Sequence, residues 1–284
     1  ETATGEKFNW DNYLPGYSTM KEKERVVFFL RDGLSAAEKE RMTAYGADMS
    51  KYLDSGNEAR IKKAYESRDP RLQMAVITPY AQYNGASSGI AHTYTLRWPY
   101  RGSDSAEPFD IRTDTNDKFY YLWRKFVPEG LEQTERDTYG LDIPLIRYAE
   151  VLLLKAEALN EWGSTHESEA IRCVNEVRRR AGHVELNNAT YPATKVNGQS
   201  DLRERIRNEY YWEIGGEDSM YFHELRWGTW KDKKFDNNRN GLMQMWGETT
   251  YTWYWLGDQC WSWPIPAKEM EMNSNLEQNE GWIN

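Results

Sequence analysis

Between Ile143 and Gly182 apolar residues recur every three or four positions, and this stretch reads as two helices joined by a tight turn. Ile146, Ala149, Leu153, Ala156 and Leu159 fall on one face of the first helix, as a 3.6-residue period demands of a half-buried helix. Pro144 suits a first helical turn, where its missing N–H would have no partner anyway, and Gly163 is placed to stop the helix. Ser164 and Glu167 form an S-x-x-E box that predicts the start of the second helix. Ala170, Val174, Val177 and Ala181 line its inner side, and Gly182 ends it. The pair has the size of a tetratricopeptide-like antiparallel hairpin. A third helix is expected from "LRERIRNEYYWEIGG", opened by Asp201 and Glu204, and a short fourth from "SMYFHELRWG".

Upstream the pattern is weaker. A loop, "FNWDNYLPGYSTMKEKERV", precedes a helix predicted over "AAEKERMTAYGADMSKYL", with Ser35 and Glu38 as its capping box and Gly56 as its stop. Another helix is expected through "NEARIKKAYES", ending before "RDPRL", where the proline disfavours its continuation. From about Ile77 to Gly130 the helical period is lost. Gly, Ser, Asp and Pro interleave there with Tyr and Trp, which is loop and short-strand chemistry. Beyond the fourth helix the chain turns irregular again, and nine of the 13 tryptophans lie from Trp212 onward. The expected fold class is mostly α, with tetratricopeptide-like helical hairpins and a large loop-rich irregular region. The expected division is a loop-rich ligand-binding region over 1–142, helical hairpins over 143–228, and an aromatic-rich tail packed on the helices over 229–284.

Composition sharpens this picture. The 284 residues suffice for a sizeable core. Hydrophobic residues make up only 39%, yet aromatics reach 14%, and disordered chains are poor in aromatics. A formal net charge of -9 argues against a nucleic-acid partner, which requires a basic surface. The short basic runs in "VRRRAG" and "KDKK" sit beside carboxylates and read as solvated helix faces. No apolar run approaches the roughly 18 residues of a membrane-spanning helix. The chain begins at Glu1 without a signal sequence, as a mature product or a fragment would. Cys173 and Cys260 are the two cysteines, too few for a disulfide framework. A single bridge and a buried free thiol at Cys173 are both open.

The carboxylates Glu204, Glu209, Glu213, Glu217 and Asp218 invite a glycosidase reading, since those enzymes work with paired carboxylates. Glu209 and Glu213, however, are one helical turn apart and interleaved with Arg203, Arg205 and Arg207, a spacing that serves ion pairs along a helix. His223 and Glu224 begin an H-E-x-x-H zinc motif, but Trp227 stands where the second histidine belongs. "DNNRNG" from Asp236 to Gly241 starts like a calcium loop, yet Gly247 occupies the place of the bidentate Glu, so it reads as an Asn/Gly turn, with weak calcium binding left open. No phosphate-binding glycine loop occurs. Neither a cofactor, a metal site nor a catalytic residue is therefore expected.

What stands out is rings in loops. Phe8, Trp10, Tyr13 and Tyr17 precede the helices, and Tyr80, Tyr83, Tyr94, Trp98 and Tyr100 fall in the irregular stretch, with Arg101 and Asp104 close behind. Aromatic faces cover the apolar C–H faces of pyranose rings, and charged or amide side chains bind the hydroxyls. The candidate ligand-binding residues are Trp98, Tyr100, Tyr94, Tyr80, Tyr83, Trp10, Tyr13, Tyr17, Arg101 and Asp104. The competing structural role for each ring is to clamp its loop to the helices.

Four ordered segments carry a family resemblance: "IPLIRYAEVLLLKAEALNEWG", "EAIRCVNEVRRRAG", "LRERIRNEYYWEIGGEDSMYFHELRWGTW" and "WPIPAKEMEMNSNLEQNEGW". Together with the upstream "YESRDPRL" they resemble the SusD/RagB family, whose members are longer, so the chain resembles the C-terminal part of such a protein. The resemblance implies a non-enzymatic lipoprotein on the outer-membrane surface, tethered by a lipid anchor upstream of this segment. It also implies a SusC-like TonB-dependent transporter as partner and a glycan as ligand, or a peptide in RagB-like members. A hydrolase on a helical scaffold, using Glu213 or Glu217, is the remaining alternative.

Overall fold

In the computed structural model the described residues are 1–13, 57–78, 80–87, 90–96, 110–111, 122–129, 142–217, 219–234, 255 and 257–282, with the isolated positions 36, 40, 43 and 44. The helix predicted ahead of Gly56 therefore lies largely outside them, although Ala36, Glu40, Thr43 and Ala44 are helical. The "DNNRNG" turn lies outside them altogether.

The chain forms two compact units, Glu1–Glu217 and Asp218–Asn284. The first opens with α1 (Asn57–Glu66), which buries Ile61, Ala64 and Tyr65. The helix stops where expected, but the proline that ends it also starts the next one. In α2 (Pro70–Ala75) Pro70 sits in the first turn and the Asp69 side chain caps the helix by accepting the Arg71 N–H at 2.9 Å. Short strands follow. β1 (Val76–Ile77) pairs antiparallel with β5 (Leu122–Trp123), matching Val76 to Trp123. A separate sheet has the order β2 (Gln82–Ser87), β3 (Ile90–Leu96), β4 (Asp110–Ile111), antiparallel between β2 and β3 and parallel between β3 and β4. Gly85 is needed in β2, because a Cβ there would come within 2.7 Å of the Tyr94 ring.

The predicted hairpin is present as α3 (Tyr148–Trp162) and α4 (Glu167–Arg180). Leu153, Ala156 and Leu159 are buried in α3, and Ala170, Val174 and Val177 in α4. Three details differ from the sequence pattern. The first helix begins at Tyr148, so Pro144 precedes it and Ile146 is exposed. Ser164 opens a 3-10 turn over Ser164–His166 instead of capping α4, whose N-cap is His166 with no side-chain bond. The basic run at the end of α4 is a solvated face only in part, since Arg179 and Arg180 are exposed but Arg178 is buried. Gly182 adopts φ +71 and ends the helix as expected. The buried Asn175 then pins the following loop, accepting the Leu186 N–H at 2.7 Å and donating to its carbonyl at 3.2 Å.

Helix α5 (Gln199–Ile214) packs on α3 and α4. Leu202, Ile206, Tyr210 and Ile214 bury one stripe at four-residue spacing. Its start is tied to the end of α3 by a reciprocal amide pair, with Asn160 Nδ2 donating to the Gln199 carbonyl (3.2 Å) and Gln199 Nε2 to the Asn160 carbonyl (2.7 Å).

The second unit holds the predicted fourth helix, α6 (Ser219–Arg226), with α7 (Trp230–Lys234) and α8 (Ala267–Met272). Tyr221 meets Trp230 edge-on at 4.8 Å, Trp255 lies 5.0 Å from Trp261, and Trp263 Nε1 donates to the Tyr221 hydroxyl at 3.1 Å. Within this unit the fourth helix clusters with rings of the aromatic tail. No helix among the described residues is long and apolar enough to cross a membrane.

Candidate functional site

Glu209 and Glu213 of α5 lie on its buried stripe, between Ile206 and Ile214, and face the arginines of other elements. Glu209 is fully buried; Oε1 accepts from Arg71 Nη1 at 2.7 Å and Oε2 from Arg178 Nη1 at 2.9 Å. Burial pushes its pKa up, and the two guanidiniums pull against that. Arg71 also grips the Asp69 that caps its own helix, through Nε at 3.0 Å and Nη2 at 2.6 Å. Despite its burial, Asp69 is held below the usual carboxylate range by these bonds.

One turn on, Glu213 receives Arg147 at 2.8 Å, Arg180 at 2.5 and 2.6 Å and Arg71 at 3.3 Å. Glu217 receives Arg147 Nε and Nη2 at 2.9 and 2.8 Å and Lys125 Nζ. Lys125 further donates to the Glu213 carbonyl at 3.0 Å, so a cation sits on the C-terminal carbonyls of α5, where the helix dipole favours it. The expected along-helix pairs exist, but elsewhere on α5. Arg205 bonds Asp201 at 3.0 Å and Arg207 bonds Glu204 at 3.3 Å.

Both oxygens of Glu209, Glu213 and Glu217 are occupied by cationic donors, so this cluster offers neither the free nucleophile nor the proton-bearing acid of a glycosidase. It ties α2, β5, the entrance to α3 and the end of α4 to one face of α5. Burial lifts the Glu217 carboxyl, but hydrogen bonds from Arg147 and Lys125 outweigh it and hold the pKa below its ordinary value. A depressed native pKa contributes stability that is complete above the unfolded value, about pH 4.3, and is lost as pH falls through the native one. Glu217→Gln is accordingly expected to lower stability at pH 7 and to flatten the loss between about pH 5 and pH 3 relative to the parent protein. Urea midpoints measured across that range decide it; parallel curves would remove Glu217 from the acid response.

The remaining titratable candidates are also packed. His183 is buried, with Nδ1 3.1 Å from the Val184 carbonyl and Nε2 3.0 Å from that of Thr2. Burial, with Arg178 nearby, pushes its pKa down. In the second unit the buried His223 ring stacks on Trp227 at 5.6 Å. Among the described residues no group of three or more His, Cys, Asp or Glu is arranged for a metal. Cys173 and Cys260 are free thiols, and burial raises the pKa of Cys173.

The ring candidates divide into three sets. Tyr80 and Tyr83 are buried, the latter donating its hydroxyl to the Pro128 carbonyl at 2.7 Å, so neither presents an open face. Tyr94 is half-buried opposite Tyr83 across the hairpin, and Tyr13 stacks on Phe8 at 5.8 Å while bonding Ser67. Trp10 belongs to a 3-10 turn, Trp10–Asn12. Tyr17, Trp98, Tyr100, Arg101 and Asp104 lie outside the described residues.

Sequence reasoning overlooked the surface around the start of α2. A groove of about 700 Å³ is lined there by Glu66, Arg68, Gln73, Met74, Arg124 and Glu129, among others. Beside it a cavity of about 170 Å³ opens onto Arg71, Lys125, Arg147, Arg180 and Trp212. Trp123, at 55% exposure, packs on Gly216, where a Cβ would meet the indole at 2.8 Å. The run "YESRDPR" carried the signal, since four charged groups surround a helix-starting proline.

The model of the SusD family matches residues 13–282. A SusD-like protein of Formosa agariphila is 32% identical over 139 residues, covering 49% of this chain and 24% of that protein. The starch-binding protein SusD of Bacteroides thetaiotaomicron is 28% identical over 161 residues, 56% of this chain and 25% of that one. The stretches matched thus span about a quarter of these relatives' length. A crystal structure of a SusD-like protein from Bacteroides fragilis superposes with a TM-score of 0.53 at 21% identity, over 78% of this chain and 40% of the other.

Proposed function

The chain belongs to the SusD family, and from that premise we propose that it is a glycan-binding component of an outer-membrane uptake complex. In this reading it sits at the cell surface, held by a lipid anchor, and delivers polysaccharide or oligosaccharide to a SusC-like TonB-dependent transporter. The observation that carries it is the family match over residues 13–282, joined by the relative named as a starch-binding protein. The ion-paired state of Glu209, Glu213 and Glu217 supports binding over hydrolysis, because none of them has an oxygen to spend on a substrate. Trp98, Tyr100 and Tyr17, with Arg101 and Asp104, are the proposed stacking and hydroxyl-binding residues. Trp10, Tyr13 and Tyr94 are further candidates for the same role, and the buried Tyr80 and Tyr83 serve as packing.

Native electrophoresis through gels containing starch and other polysaccharides, together with calorimetry on matching oligosaccharides, tests this. Retardation in at least one glycan gel without release of reducing ends is the expected result. Sustained release of reducing ends, abolished by Glu213→Gln, would establish a hydrolase instead. Binding of peptides with no glycan retardation would establish the RagB-like alternative.

A further inference from the structure

Arg68 differs from the arginines around α5. Among the described residues its guanidinium makes no hydrogen bond and no ion pair; it lies over the Phe8 ring, 4.4 Å from the centroid. Stacked in that way, a guanidinium keeps its in-plane N–H donors available at its edge, and Arg68 lines the 700 Å³ groove. On the same lining Gln73 spends Nε2 on the Tyr65 carbonyl at 3.3 Å, which leaves its Oε1 to accept. Arg124 and Glu129 are clamped together, Nη2 to Oε2 at 2.9 Å, and held to β2 through the Asn84 N–H and the Gln82 carbonyl. Pro70 and Met74, the latter 71% exposed, supply apolar surface between these polar groups.

We infer that this groove binds a short neutral segment of a glycan. The lining sets two guanidiniums, Arg68 and Arg124, against two carboxylates, Glu66 and Glu129, so no net charge selects a carboxylate or sulfate ester. What it offers is interleaved donors and acceptors at fixed positions. Hydroxyl groups, which donate and accept at once, use both, while Met74 and Pro70 cover the C–H face of a sugar ring. The volume falls in the range of sites that enclose small ligands. The site is also preorganised, because the segment that carries Arg68 and Gln73 is fixed by the Asp69 cap and by Arg71 bonded to Glu209. A stiff site loses less conformational entropy when it fills.

This inference rests on the glycan-binding reading and adds to it a place and a chemical class. The probes are maltoheptaose, xylohexaose and mannohexaose, with oligogalacturonate as the acidic arm, titrated by calorimetry into the parent protein, Arg68→Ala and Gln73→Ala. Circular dichroism verifies that the variants are folded. The expected result is that a neutral oligosaccharide bound by the parent loses about tenfold or more in affinity in both variants, roughly 1.4 kcal/mol or more. Unchanged affinity in a folded Gln73→Ala protein removes the groove from the binding site and leaves the glycan reading standing. Tighter binding of oligogalacturonate than of any neutral probe overturns the chemical class. If the parent binds peptides and no glycan, the glycan reading fails and this inference fails with it.

Discussion

Glu209→Ala is expected to destabilise the protein by about 3–5 kcal/mol, the range for removing one member of a buried charge group. The reason is what it leaves behind. Arg71 and Arg178 are 7% and 1% exposed at their side chains, and each loses its contact with Glu209 while remaining shut off from water. Double-mutant cycles give the sharper readout. Once Glu209 is gone, Arg178 no longer has its buried carboxylate partner, so Glu209→Ala with Arg178→Ala should cost clearly less than the two single changes added together. Glu161→Ala is the contrast. It breaks the exposed pair with Arg203, 2.6 Å apart, and is expected to cost at most about 1 kcal/mol. Urea unfolding of the four variants gives the comparison. A loss under about 1 kcal/mol for Glu209→Ala would mean that water replaces the carboxylate and that the cluster is not a closed unit.

The second large effect belongs to the hairpin. Leu153 is fully buried on the face of α3 that meets α4 and α5, whereas Leu154, the next residue, is 40% exposed. Leu153→Ala is expected to cost about 2–5 kcal/mol, the sum of lost transfer energy and the cavity left behind. Leu154→Ala removes the same atoms from a half-solvated position and should cost well under half as much. Equal losses at the two positions would show that α3 buries a different face. Fluorescence and far-ultraviolet circular dichroism should move together for Leu153→Ala, since one core joins the three helices.

The hairpin was legible because its signal is local. Leu153, Ala156 and Leu159 share a face by spacing alone, and Gly182 marks an end through its own backbone preference. The charge cluster was misread because its signal is divided among distant segments. Arg205 and Arg207 lie close in sequence to Glu209 and suggested pairs along the helix, and such pairs form with Asp201 and Glu204. Glu209 and Glu213, however, fall among Ile206, Tyr210 and Ile214 on the apolar stripe. A carboxylate on such a stripe needs a cation from another element, and that rule would have pointed to Arg178 and to the Asp-Pro-Arg segment. By sequence alone Arg178 reads as part of a solvated run, because its neighbour Arg179 is exposed and pairs with Glu185 at 2.7 Å. The groove was missed for a related reason. Its groups come from α1, α2 and the residues around β5, and no periodicity links positions 68 and 124. The rings drew attention as residue types, yet type alone does not separate the buried Tyr83 from a ring that faces a ligand.

The bond between Arg71 and Glu209 joins residues 138 positions apart, and that separation bears on how the protein comes into being. A ribosome releases the chain from the N-terminus at about 5–20 residues per second. At those rates the guanidinium of Arg71 exists for about 7–28 seconds before its carboxylate has been made. Throughout that interval the Asp69 cap can form and α2 can meet α1 and β1, but its contact with α5 is still missing. The hairpin of α3 and α4, whose contacts are local, can assemble early, and α5 arrives last to lock both halves. Truncated nascent chains ending before Glu209 should therefore remain open to protease around residues 68–75, the stretch from which the groove is built.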